Sequence, residues 1–255
     1  VMKDSNEPRT VQAVEISLEI LRILQEQTKV GVTGIANELG RSKGTIHSHL
    51  TTLVNNEYVV QNGDTYQLSL KFIDLSHSVK EELVGYDIVK QELHNLANQA
   101  GELAQFATEE HGRAVYIHKV GTEKAVQTAS SPGDREYLHC ISLGKAMLAH
   151  MPKRTVDKIV QQHGLHGYTD QTITDHEELM TEIKAIRKRG YAFDEEEKIN
   201  GLRCVAAPVL ENGDIFGAVS VSGPSTRMRG DFYRQELPEL VTRSANVIEI
   251  NTKFA

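Results

Sequence analysis

The sequence predicts an α+β chain in which an N-terminal winged helix-turn-helix precedes a sheet-and-helix domain of the sensor type. Three observations carry this. Residues Val32 to Leu53 read as two helices joined by a tight turn at Gly40. A strong hairpin signal, Asn62-Gly63, follows shortly after them. From Leu103 onward, stretches of alternating apolar residues trade places with stretches of helical period.

Each element follows in order. Val14, Leu18, Leu21 and Leu24 hold helical spacing, so the first helix is expected from about Val11 to Gln25. Thr33 is the expected N-cap of the second helix, and Gly40 suits the left-handed position past its end. Ser42 caps a third helix that ends near Asn55 and keeps Ile46, Leu50 and Leu53 on one face. Tyr58 to Gln61 reads as a strand and Thr65 to Leu68 as its return. Three helices and a hairpin make the winged unit.

Phe72 to Ala100 carries few breakers. Gly85 is the expected break between a linker helix and a helix built on Val89, Leu93, Leu96 and Ala100. The domain boundary therefore falls near residues 75 to 85. Beyond it, strands from Leu103 to Glu109 and Ala114 to Val120 flank the hairpin Glu110-His111-Gly112-Arg113. A helix is expected from Ser142 to His150, stopped by Pro152, and another from Arg154 to Gln162. Thr174-Asp175-His176-Glu177 reads as a capping box that opens a helix to Arg189, closed by Gly190. Tyr191 to Asp194, Leu202 to Leu210 and Ile215 to Ser222 read as strands, the last two joined by Asn212-Gly213. A final helix covers Leu237 to Thr252. Ser220 and Ser222 share one face of their strand, opposite Val219 and Val221.

A length of 255 residues suits two ordinary domains. No apolar run approaches the roughly 20 residues of a membrane span. Val1 to Pro8 lacks the apolar segment of a signal peptide, so a cytoplasmic protein with no membrane partner is expected. Cys140 and Cys204 stand far apart, without the spacing of a disulfide scaffold or a zinc site. The net charge is −7, and the first 75 residues hold seven Lys/Arg against nine Asp/Glu. Any contact with duplex DNA must then rest on local placement of cations such as Arg9, Arg41, Lys43 and Lys71.

Stepping about 100° per residue around the third helix from Leu50 puts Gly44, Thr45, Ser48, Thr51 and Thr52 on the outward side. Arg41, Lys43 and His47 fall near its start or flanks. Small hydroxyl residues let a backbone approach phosphates and base edges closely. Arg9, Arg41, Ser42, Lys43, Gly44, Thr45, His47, Ser48 and Thr52 are the candidate DNA-contacting residues.

Across nearly its whole length the chain resembles the IclR family of transcriptional regulators. The resemblance is carried by Val11 to Leu24, by Ser42-Lys43-Gly44-Thr45-Ile46-His47, and by four later segments. These are His139 to Ala149, Arg189 to Glu196, Gly201 to Pro208 and Ala218 to Pro224. The chain departs from the family at Ser48, where many members carry arginine, and at Ser69, where many carry glycine. The resemblance implies a winged helix for palindromic operator DNA over residues 1–75 and a linker helix over 76–90. It implies a GAF-like α/β effector-binding domain over 91–255, and a homodimer or dimer of dimers. By position it implies a pocket for a small organic acid at Ser142, Leu143, Asp194, Cys204, Ser220 and Ser222.

Those residues make chemical sense on their own. Ser142 and Leu143 open a helix whose free N–H groups favour a carboxylate. Ser220 and Ser222 supply hydroxyls, Asp194 an acceptor, and Cys204 a small soft wall. The plainer alternative has both serines facing solvent, with Cys204 in the core.

Two chemistries compete with this reading. A metal site would draw on His111, His118, His139, Cys140 and Cys204, but no paired-ligand spacing appears. An enzyme would pair Cys204 as nucleophile with His139 as base, but no oxyanion motif accompanies them. No cofactor, metal or catalytic residue is expected. A third alternative, a sensing module that never touches DNA, draws on the acidic balance of the first 75 residues.

Overall fold

The computed structural model of the chain describes residues 9–83, 85–126 and 130–253. Residues 1–8, read above as lacking a leader, lie outside them. Chain contacts divide the molecule into two units, 1–83 and 84–255.

In the first unit, α1 (Gln12–Glu26) buries Ile16, Ile20, Ile23 and Leu24, a one-sided helical stripe. A two-residue strand β1 (Val30–Gly31) leads directly into α2 (Val32–Leu39), and α3 (Lys43–Asn55) follows. The wing is β2 (Val59–Asn62) and β3 (Thr65–Leu68), and α4 (Lys71–Glu82) leaves it. The three strands pair antiparallel in the order β1-β3-β2. Ile35, Ile46, Leu50, Val59 and Tyr66 close the core against α1. Each fully buried aliphatic side chain there stabilises the unit by about 1.5–3 kcal/mol.

Two expectations shift by local pairing. Thr33 does not cap α2. Val30 and Gly31 are already paired with Tyr66 and Thr65, so Gly31 is the cap and Thr33 is drawn into the first turn. The wing loop, bounded in the sequence by strands ending at Gln61 and starting at Thr65, shortens to Gly63-Asp64, because Asn62 pairs with Thr65 and belongs to β2. Gly63 has φ 59°, which the first position of a type II′ hairpin turn requires. Gly40 does end α2 in the left-handed region, its N–H reaching the carbonyls of Ala36 and Asn37.

The second unit opens with α5 (Tyr86–Ala100). Gly85 precedes it with φ 75°, and a Cβ there would lie 2.3 Å from Thr252 Cγ2. Glycine is thus required by both conformation and space. The strands are β4 (Leu103–Glu110), β5 (Arg113–Val120), β6 (Arg135–Tyr137), β7 (Ala192–Glu195), β8 (Leu202–Glu211) and β9 (Asp214–Pro224). They form one antiparallel sheet in the order β6-β5-β4-β9-β8-β7. Between strands lie α6 (Ser142–Leu148), α7 (Lys153–His163) and α8 (His176–Arg189), and α9 (Leu237–Thr252) ends the described chain.

Two cores sandwich the sheet. Phe106, Val205, Val219 and Val221 face α5 and α9. Ala107, Ala206 and Ala218 face α6 and α8. The second face therefore carries the smaller residues. The expected capping box moves one residue along: Asp175 is the N-cap of α8, accepting the Glu178 N–H at 2.9 Å. The helix expected over Ser142 to His150 ends at Leu148, before Pro152 is reached.

Candidate functional site

The surface of α3 is built from its cap outward. Ser42 Oγ accepts the Thr45 N–H at 3.1 Å and lies 2.8 Å from Thr45 Oγ1. Arg41, Lys43, Gly44, His47, Ser48, Thr51 and Thr52 are exposed, and Thr45 is half-buried. Ser48, Thr51 and Thr52 each donate to the carbonyl four residues back, at 3.0, 2.8 and 3.0 Å. This leaves their oxygen lone pairs turned outward as acceptors. His49 faces α1 instead, where its Nδ1 lies 2.9 Å from Ser17 Oγ.

The cations do not gather at one point. Arg41 and Lys43 flank the start of α3. Lys71 Nζ donates to the Asn56 carbonyl at the far end, at 3.0 Å, and lies over the Tyr58 ring. The helix between them spans about 20 Å at 1.5 Å per residue. Arg9 is exposed and precedes α1, with no hydrogen bond or ion pair among the described residues.

All six expected pocket residues, Ser142, Leu143, Asp194, Cys204, Ser220 and Ser222, line one cavity of about 120 Å³. Strand register explains why. Asp194 pairs with Cys204, Cys204 with Ser222, and Ser220 with Gln105, so a polar row crosses β7, β8, β9 and β4 on the α6 face. Ser220 and Ser222 are buried, at 0% and 2% exposure, so they do not face bulk solvent. Ser222 Oγ donates to Gln105 Oε1 at 2.7 Å. Ser220 Oγ is buried with no hydrogen-bond partner. Asp194 Oδ1 accepts the Glu197 N–H at 2.8 Å, which ties down the loop after β7. Ser142 opens α6, whose first backbone bond runs from the Lys145 N–H to the Ile141 carbonyl.

Among the lining residues that the sequence reading did not assign to the pocket are four with titratable or amide side chains, Gln105, Tyr116, Glu136 and Lys198. Gln105 had a signal, since it interrupts the apolar run Leu103-Ala104-Phe106-Ala107. Lys198 Nζ pairs with Glu136 Oε2 at 2.6 Å and sits 3.5 Å from the Tyr168 ring centroid.

Burial shapes the ionisation of the site. Asp194 is pushed up to about 7, by loss of solvent first and by the charge of Glu197 second, with Lys145 opposing. Lys145 and Glu197 form an ion pair buried behind it. Burial pushes the Cys140 thiol up to about 12 and the Cys204 thiol well above its ordinary value. Neither thiol is therefore an available nucleophile. Burial pushes His139 down, and its Nε2 donates to the His166 carbonyl at 3.0 Å. It lines a separate small cavity beside His163, so the Cys204–His139 pair does not assemble.

The family model for the bacterial transcriptional regulator IclR C-terminal domain matches residues 83–250, and that for the IclR helix-turn-helix domain matches residues 13–63. The chain belongs to the IclR family. It is 30% identical to the probable HTH-type transcriptional regulator ArcR of Halobacterium salinarum, over 99% of this chain and 98% of that one. It is also 30% identical to the transcriptional repressor IclR of Escherichia coli, over 87% and 83%. The crystal structure of Thermotoga maritima IclR matches with a TM-score of 0.80 at 26% identity, covering 94% and 98%. This IclR-family chain is accordingly a transcriptional regulator, not an enzyme, with a DNA-binding helix-turn-helix and a C-terminal effector domain. Among the described residues no helix is long and apolar enough to cross a membrane.

Proposed function

We propose that the chain binds double-stranded operator DNA through α3, and that a small organic acid in the cavity sets the affinity. The observation that carries the ligand half is Ser220 Oγ, a fully buried hydroxyl without a partner on the wall of a cavity. Buried polar groups in folded proteins are nearly always paired, so an unpaired one facing a cavity points to a ligand. The remaining walls add hydroxyls at Ser142 and Ser222, the Asp194 carboxyl, and the apolar Leu143 and Cys204. A volume near 120 Å³ suits a compact molecule, since a cavity of about 150 Å³ holds benzene. A solved IclR homologue of the same fold from Microbacterium hydrocarbonoxydans is complexed with 4-hydroxybenzoate.

On the DNA side, Ser42, Gly44, Thr45, His47, Ser48 and Thr52 make the base and phosphate contacts, with Arg9, Arg41 and Lys43 as phosphate partners. Residues 1–75 are then the DNA-binding domain, 76–90 the linker and 91–255 the effector domain. Two or four copies pair on a palindrome. Val11, Val14 and Leu18 support pairing, because they share a face of α1 and stand exposed. The ligand acts by binding one arrangement of the paired winged helices better than another.

A gel shift on the chain's own upstream DNA tests this, with and without small carboxylic acids. Affinity should fall steeply as salt rises. Exchanging both Lys43 and Thr45 for glutamate should abolish the shift. Unchanged binding in that double variant, or no binding at low salt, would overturn the proposal.

A further inference from the structure

The charges around the cavity pose a difficulty for an acidic ligand. Among the described residues its lining holds two carboxylates, Asp194 and Glu136, and one cation, Lys198, which is already paired with Glu136. The titratable groups facing Asp194 are Lys145 from α6, Glu197 from the loop after β7, Cys204 from β8, Tyr116 from β5, Cys140 from the turn before α6 and Tyr233 from the turn before α9. Lys145 is itself engaged by Glu197. An anion entering beside an ionised Asp194 would meet a like charge in a poorly solvated space, with no spare cation to offset it.

We propose that the cavity takes up its carboxylate together with one proton from solvent. The proton is carried on the Asp194 oxygen that Glu197 leaves free, so that Asp194 donates to the ligand instead of repelling it. This rests on the reading of the cavity as a carboxylate site. The geometry favours it in two ways. Asp194 Oδ1 keeps its bond from the Glu197 N–H in either state, so the loop does not have to move when Oδ2 gains a proton. Ser220 Oγ, without a partner, supplies a second donor on the same wall. Burial already pushes Asp194 up to about 7, so the proton is gained near neutral pH.

Isothermal titration calorimetry of the full chain tests the idea, with glycolate, lactate and 4-hydroxybenzoate as probes. Titrations at pH 8 in phosphate and in Tris separate binding heat from buffer ionisation. The expected result is uptake of about 0.9 proton per ligand, and an affinity about eightfold lower at pH 8.5 than at pH 7.5. Asp194→Asn, a neutral group with a fixed donor, should bind at pH 8.5 with no dependence on buffer or pH. Binding whose heat is the same in both buffers overturns proton uptake and leaves the carboxylate reading standing. Uptake that survives in Asp194→Asn places the proton elsewhere and also overturns it. No heat from any of the three acids overturns both. The wild-type buffer comparison decides even if the variant folds poorly.

Discussion

Ser222 Oγ donates to Gln105 Oε1 at 2.7 Å, whereas Ser220, two residues earlier on the same strand face, ends in a hydroxyl with no partner. One serine completes the wall of the cavity and the other is left open. Replacing each by alanine should separate these roles. Ser222→Ala strands the Gln105 carbonyl in a buried place and should destabilise the effector domain by about 1–3 kcal/mol. Ser220→Ala removes an unsatisfied group and should leave stability unchanged or slightly raised. It should nevertheless abolish the thermal shift given by an acid that binds the wild type. Urea melts and ligand thermal shifts check the pair, and equal stability losses in both variants would contradict the assignment.

Gly44 gives the opposite kind of test on the DNA-binding unit. A Cβ at this exposed helical position would meet only Ser42 Oγ, at 3.9 Å. Gly44→Ala should therefore raise the stability of the helix by about 0.5–1 kcal/mol. If α3 lies against duplex DNA, the added methyl also stands between backbone and phosphate. Operator affinity should fall at least several-fold while the melting temperature rises. A variant that is more stable and binds equally well would move the contact surface away from the start of α3.

The pH dependence of stability follows from Asp194. Its ordinary value is 3.8 and burial pushes it up to about 7, so the folded state favours the protonated form. The stabilising contribution is complete below about pH 4 and is lost as pH rises through 7. Glu197 is raised too and acts in the same direction. His139 is lowered, so its contribution fades on the acid side as pH falls below its ordinary 6.5. Between pH 6 and 8 the effector domain should lose roughly 1 kcal/mol through Asp194. Asp194→Asn should remove most of that loss, as read by melting temperature across the range.

How much of this was legible in the sequence depended on length and register. The long helices and the paired strands of both units carry enough periods to declare themselves. Two short strands, Val30–Gly31 and Arg135–Tyr137, do not, because two or three residues hold no periodicity. At α8 the box read from Thr174 slips by one because Asp175 also precedes a glutamate by three residues, and the fold makes Asp175 the cap. The cavity was half legible. Ser220 and Ser222 alternate with valines, so their shared face could be read, but not that this face is covered. Gln105, Tyr116, Glu136 and Lys198 come from four separate segments: the pairing of β4 with β9 and of β5 with β4 and β6 brings the first three there, and the pairing of β7 with β8 brings the loop that carries Lys198.

Gly144 ties the cavity wall to the core in a way that a single methyl can test. A Cβ at this position would lie 2.2 Å from the Leu138 carbonyl oxygen, 2.4 Å from its Cα and 2.6 Å from its carbonyl carbon. All three are backbone atoms of the short 3-10 turn Leu138–Cys140, so no side-chain rotation relieves the clash. Either α6 or that turn must shift. Ile141 joins the two, Ser142 and Leu143 open α6, and all three line the cavity, so a shift of either element displaces the wall. Overpacking of this kind destabilises by about 1–3 kcal/mol and sometimes more. Gly144→Ala should accordingly lower the melting temperature of the effector domain by roughly 5–10 °C. Response to an acidic ligand should drop further than stability alone would explain, since the Ser142 hydroxyl moves with the wall. Differential scanning calorimetry, with and without ligand, measures both effects. An alanine variant with wild-type melting and wild-type ligand response would mean that α6 and the Leu138 turn do not hold the cavity wall in place.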